Sequence, residues 1–162
     1  MKTLLFCLLC IPTGWGQTHP GKLKTAIYAG IYTFGNDTEA PNGSIIIYPE
    51  TDTSVLFYID LANGAPAYHV GALYGRAEVE KGKGEFFQKS DGAENNCRWK
   101  MAFDKDKLTI ETVEGQYDCG FGQAVYADEI YLRKKQQIIE YFNSGKSRKV
   151  YFAKTSPESY KQ

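Results

Sequence analysis

Between residues 28 and 133 the chain is cut into short segments of alternating polarity, joined by connections too brief for a helical crossover. The clearest is CRWKMAF at 97–103, where Cys97, Trp99, Met101 and Phe103 alternate with Arg98, Lys100 and Ala102. Successive side chains on a strand point to opposite faces, so this segment reads as a half-buried strand with Cys97 turned inward. In SVLFYIDL (54–61), Val55, Phe57, Ile59 and Leu61 align in the same way. YAGIYTF (28–34), SIIIYPE (44–50), YHVGALYGRAEVE (68–80), EFFQK (85–89), LTIETVE (108–114) and AVYADEIYLR (124–133) complete the set. About eight strands with such short links require antiparallel neighbours. A meander of that number that closes its own edges is an up-and-down barrel. Gly71 and Gly75 inside the fourth segment mark the bend or bulge that a curling sheet needs. The expected fold class is all-β, an antiparallel up-and-down barrel over residues 27–133.

The two ends read differently. At the C-terminus KKQQIIEYFNSG has Ile138, Ile139 and Phe142 at helical spacing and Gly145 as a stop, so a C-terminal helix is expected. Residues 134–162 then form a helix and tail packed on the barrel, with KVYFAK as one further strand. At the N-terminus a lysine, an apolar run over residues 4–11 and small residues at Gly14 and Gly16 outline a secretory signal peptide over 1–16. A polar lead follows over 17–26. The apolar run falls far short of the roughly 20 residues of a membrane span. Cys10 as a lipid anchor is the weaker reading, because Leu8 and Leu9 stand where small residues are expected. The chain is therefore expected in the periplasm or outside the cell.

Removal of the leader takes Cys7 and Cys10 and leaves Cys97 and Cys119. In an oxidising compartment two remaining cysteines pair with each other, and a loop of this length stabilises the fold by about 3 kcal/mol. That decides how Cys119-Gly120-Phe121-Gly122 is read. A phosphate-binding glycine loop follows a strand and opens a helix, whereas here alternating residues follow. Gly120 and Gly122 instead let the backbone turn beside a crosslink, with Phe121 free to cover the core.

Cys119-Gly-Phe-Gly, then Val125, Ala127-Asp128 and Tyr131, resembles the closing motif of small secreted bacterial proteins with a calycin-like (lipocalin-like) barrel, mostly without an assigned function. Gly30-x-Tyr32 and Gly71-x-x-x-Gly75-Arg76-Ala77 are weaker matches. The resemblance covers roughly residues 27–133 and implies a fold, not an activity. Glu129 departs from the glycine that follows Ala-Asp in the motif.

Chemistry is sparsely represented. His19 and His69 lack metal-ligand spacing, and His69 has no nucleophile or acid in sequence reach. Asp104 and Asp106 suit a tight turn, and Asp128 and Glu129 on one strand would face opposite ways. No cofactor, nucleotide or nucleic-acid signature is present, and no enzyme activity is expected. Acidic residues outnumber basic ones over residues 25–132, while the tail is basic from Arg133 onward. Packing of the tail on an acidic body, or a patch for an anionic partner, are the two expectations that follow. Two functional readings remain. In the first, Tyr32, Phe57, Tyr74, Trp99 and Met101 face inward and line a site for one small apolar or amphipathic ligand. In the second, the loops GNDTEAPNG (35–43) and SDGAENN (90–96) engage a secreted protein partner, for instance as an inhibitor of a secreted hydrolase. A filled interior with polar rim loops would favour the second.

Overall fold

The structure, a computed structural model, describes residues 19–89, 96–115, 117–145 and 148–160. The expected leader with Cys7 and Cys10, the start of the polar lead, most of the loop at 90–96, and Lys146 and Lys161 lie outside the described residues. Eight strands close a barrel: β1 (Gly30–Phe34), β2 (Asn42–Pro49), β3 (Ser54–Ala62), β4 (Val70–Glu80), β5 (Lys83–Gln88), β6 (Cys97–Asp104), β7 (Lys107–Glu114) and β8 (Ile130–Lys135). Each is antiparallel to the next, and β8 returns to β1 through Tyr32↔Arg133 and Thr33↔Leu132. The up-and-down barrel read from the alternation is the observed architecture. Lys81 and Gly82, both at positive φ, make the two-residue turn between β4 and β5 that matches the twist of paired strands.

Inward residues fill the barrel. Tyr32, Ile45, Ile47, Val55, Phe57, Ile59, Trp99, Leu108 and Tyr131 are completely inaccessible to solvent, and Cys97, Met101 and Ile110 pack with them. Phe57, Phe86 and Trp99 form a mutual aromatic cluster with centroids 4.8–5.6 Å apart. The end of the barrel formed by the β2–β3, β4–β5 and β6–β7 turns is plugged. There the Arg133 guanidinium lies 5.0 Å over the Tyr32 ring and donates to the carbonyls of Ile27 and Lys105.

The C-terminal segment corrects the sequence reading. Among the described residues there is no α-helix after β8, only short 3₁₀ turns, and residues 141–143 and 149–151 pair as a hairpin, β9 (Tyr141–Asn143) with β10 (Lys149–Tyr151). Ile-Ile-Glu-Tyr-Phe is rich in β-branched and aromatic side chains, which suit an extended backbone, and a short helix would carry an unfavourable nucleation step. The hairpin also gains contacts: Phe142 stacks on Tyr58 at 4.0 Å, and Phe152 on Tyr48 at 5.1 Å. These residues, with Val150, cover the outer face of β2, β3 and β4, where Tyr48, Leu56, Tyr58 and Tyr74 form a second apolar cluster. Tyr74 is therefore not an interior residue. It sits on the outer face, and its hydroxyl donates to the Thr155 carbonyl at 2.6 Å.

Among the described residues, no ion pair runs from a lysine beyond β8 to the acidic body. The ion pair that joins the two has the opposite sense, with Glu158 of the tail meeting Arg76 of β4, which Glu50 also grips at 2.7 and 2.9 Å. Lys149 and Lys154 instead lie over the tail's own Tyr141 and Tyr151 rings, at 4.3 and 5.2 Å. Apolar burial, not charge, is the main attachment.

Candidate functional site

Of the residues expected to line a ligand site, Tyr32, Phe57, Trp99 and Met101 do point into the barrel, but they pack against each other there. Gly71 and Gly75 leave no open space beside these rings. A Cβ on Gly75 would come within 2.5 Å of the Phe57 ring and 2.8 Å of Phe86, and one on Gly71 within 2.6 Å of Phe121. Both positions are small because aromatic rings occupy the space above them. Ala72 faces the outer cluster. A depression of about 860 Å³ opens between β4, β5 and the tail, lined in part by Leu73, Arg76, Phe86, Lys89 and Glu158.

Burial has marked several of these tyrosines. Loss of hydration pushes the hydroxyls of Tyr32 and Tyr58 up to about 12, against the ordinary 10.0, and raises those of Tyr74 and Tyr131 further still. Tyr32 donates to the Tyr28 carbonyl at 2.8 Å and Tyr131 to the Ala127 carbonyl at 3.0 Å, so both polar tips are satisfied inside the core.

Cys97 and Cys119 are joined as expected. The bridge ties the start of β6 to the β7–β8 connection, and the Trp99 indole N–H donates to Cys119 Sγ at 3.3 Å. Gly120 has φ +79°, and Phe121 then turns over the barrel mouth to stack on Trp99, with centroids 5.8 Å apart. One detail differs from the sequence reading: β8 begins at Ile130, not at Ala124, so the described residues between β7 and β8 form one long loop, 117–129 among them. Asp128 lies in that loop, and its carboxylate accepts from both the backbone N–H and the hydroxyl of Thr112, at 2.7 and 2.6 Å. This pair of hydrogen bonds to a neighbouring strand holds the chain out of an extended run before Ile130.

The loop at 115–129 is knitted to its neighbours at this end. His69 Nδ1 lies 2.7 Å from the Gln123 carbonyl, and a Cβ on Gly122 would strike the Val70 carbonyl at 2.8 Å. Next to it, the β3–β4 loop is fastened to the β1–β2 loop: the Ala65 N–H donates to the Glu39 carbonyl at 3.0 Å, and the Tyr68 hydroxyl donates to the Glu39 carboxylate. Three connections thus form one fixed rim. Apolar side chains stand out from it: Tyr117 is 76% exposed, Val70 65% and Tyr68 53%, with Tyr126 beside Tyr117 at 6.1 Å between ring centroids.

Of this rim, the sequence singles out residues 35–43 as a candidate loop but not Tyr68, Val70, Tyr117 or Tyr126. Tyr117 and Tyr126 lie in a stretch that reads partly as strand, where an exposed aromatic residue looks like an ordinary half-buried one. The usable signal is the absence of a strict alternation from Gly115 to Glu129. The other candidate loop, at 90–96, falls almost wholly outside the described residues.

No group of histidine, cysteine and carboxylate side chains able to hold a metal ion occurs among the described residues, and none of their helices is long and apolar enough to cross a membrane. No protein-family model, curated protein or solved structure matches the chain.

Proposed function

We propose that this is an exported protein-binding domain that meets its partner with the loops at the disulfide end of the barrel. The observation that carries the reading is the filled interior: Trp99, Phe57, Phe86 and Tyr32 occupy the volume in which a carrier of this strand number would hold its ligand. A second feature supports it. The rim presents tyrosines on loops already fastened to one another, which gives large amphipathic contacts with little ordering entropy left to lose on binding. Leader, disulfide and rim together suit a module that acts outside the cytoplasm on a secreted protein, inhibition of a secreted hydrolase being one such role.

The test is crosslinking of the mature protein in its native medium, followed by mapping of the crosslinked peptides. Crosslinks concentrated in residues 35–41, 63–69 and 115–129 are expected. Crosslinks spread over the β5–β7 wall, with the rim untouched, would overturn the assignment.

A further inference from the structure

The three interlocked rim connections, residues 35–41, 63–69 and 115–129, contain Asp37, Glu39, Asp118, Asp128 and Glu129 and not one lysine or arginine. The opposite end is different. There each acidic turn has a cation beside it, as in Asp104 with Lys107 at 3.6 Å, Asp106 with Arg133 at 3.7 Å and Glu80 with Lys81 at 3.6 Å. Lys89 also stands at this end, in the β5–β6 connection just past Gln88, while Arg98 on β6 is taken up by Glu114 at 3.4 Å and by the Phe87 ring at 5.0 Å. The exposed apolar surface of Tyr68, Val70, Tyr117 and Tyr126 therefore sits on or beside three connections that hold carboxylates and no lysine or arginine.

From this juxtaposition we infer that the rim docks a cationic protein surface, one that presents arginine or lysine side chains. The inference rests on the rim reading above and adds the chemistry of the partner. Tyrosine faces attract a guanidinium or ammonium group through the ring quadrupole, and carboxylates around them select the same sign. An anionic partner would bring like charge against Asp37, Glu39 and Glu129, which works against it. Summed charge of one sign also steers the encounter, so association is faster at low ionic strength, and the effect fades as the screening length shortens to about 10 Å near 0.1 M salt.

The experiment is a titration of the ¹⁵N-labelled mature protein with a short oligoarginine peptide and, separately, with an oligoglutamate peptide, followed by amide chemical shifts. Oligoarginine should move the amides of 35–41, 63–69 and 115–129, and its affinity should fall as salt is added. The double variant Asp37→Asn, Glu129→Gln keeps side-chain shape and should weaken binding roughly threefold for each charge removed. Lys81→Gln with Lys105→Gln, at the far end, should leave it unchanged. Tyr117→Ser tests the aromatic half of the site and should also weaken binding, since Tyr117 is 76% exposed and bears little of the fold.

Shifts at the rim with oligoglutamate and none with oligoarginine would refute the cationic partner while leaving the rim as the binding surface. Shifts confined to other faces would refute both. Concentration-dependent self-association, abolished by the lysine variants, would assign the rim to a second copy of the chain and would likewise overturn the inference.

Discussion

Gly75 and the Cys97–Cys119 pair show how single positions set the interior. The ring contacts around Gly75 leave no volume for a methyl group, so Gly75→Ala should lower stability by about 1–3 kcal/mol in thermal or denaturant unfolding. At Gly120 no heavy atom lies within 4 Å of the place a methyl group would take, but φ is +79°, so replacement strains the backbone without crowding the core. Replacing both Cys97 and Cys119 by serine opens a crosslink spanning 22 residues and should cost about 3 kcal/mol. An unchanged melting temperature in that variant would count against the role given to the bridge. The buried tyrosines make a pH prediction. In the unfolded chain a tyrosine ionises near 10.0, whereas Tyr32 and Tyr58 resist until about 12 when folded. Between these values the unfolded state has released more protons than the native state, so stability is intact below pH 10 and falls progressively as pH rises towards 12. Tyrosinate absorbance should therefore appear in two stages, an exposed set that titrates reversibly and a buried set that ionises only with unfolding.

At the level of elements, the hairpin of β9 and β10 is what the rest of the sheet could not supply. Phe142 is 2% exposed and touches Tyr58, Tyr74 and Phe152, so Phe142→Ala should destabilise the protein by about 3–5 kcal/mol. A dye that binds exposed apolar surface should report the uncovered face of β2–β4 in that variant. The strands themselves were legible because each carries its own alternation: Val55, Phe57, Ile59 and Leu61 all turn inward, and Cys97, Trp99 and Met101 do so on β6. What was not legible followed from contacts between distant segments. Ile138, Ile139 and Phe142 have helical spacing, yet Phe142 is fixed by Tyr58, about eighty residues earlier in the chain. Tyr74 alternates as an inward residue only if one starts the count at the wrong face, and both faces of β3 and β4 turn out to be apolar because the tail covers the outer one. Asp128 lies where a strand was expected, and its two bonds to Thr112 cannot be seen in the order of residues.

For the whole molecule, the barrel is plugged by Arg133 at one end and its interior is occupied by its own aromatic rings. The disulfide, the glycine turn and Phe121 then act together: they close the mouth over Trp99 and fix the loop that carries Tyr117 and Tyr126. In this arrangement the same crosslink that stabilises the fold also holds the proposed contact surface in place, which connects stability to binding. The resemblance to calycin-like barrels extends to the closed eight-stranded antiparallel architecture. Ligand carriage, often associated with such shapes, asks for a cavity that these side chains occupy. The most direct measurement is native mass spectrometry of the mature protein purified from its own source under non-denaturing conditions. The expected result is the mass of the bare chain, or of the chain with a protein bound. A stoichiometric small molecule retained in the barrel, and lost when Trp99 or Phe57 is replaced, would contradict it.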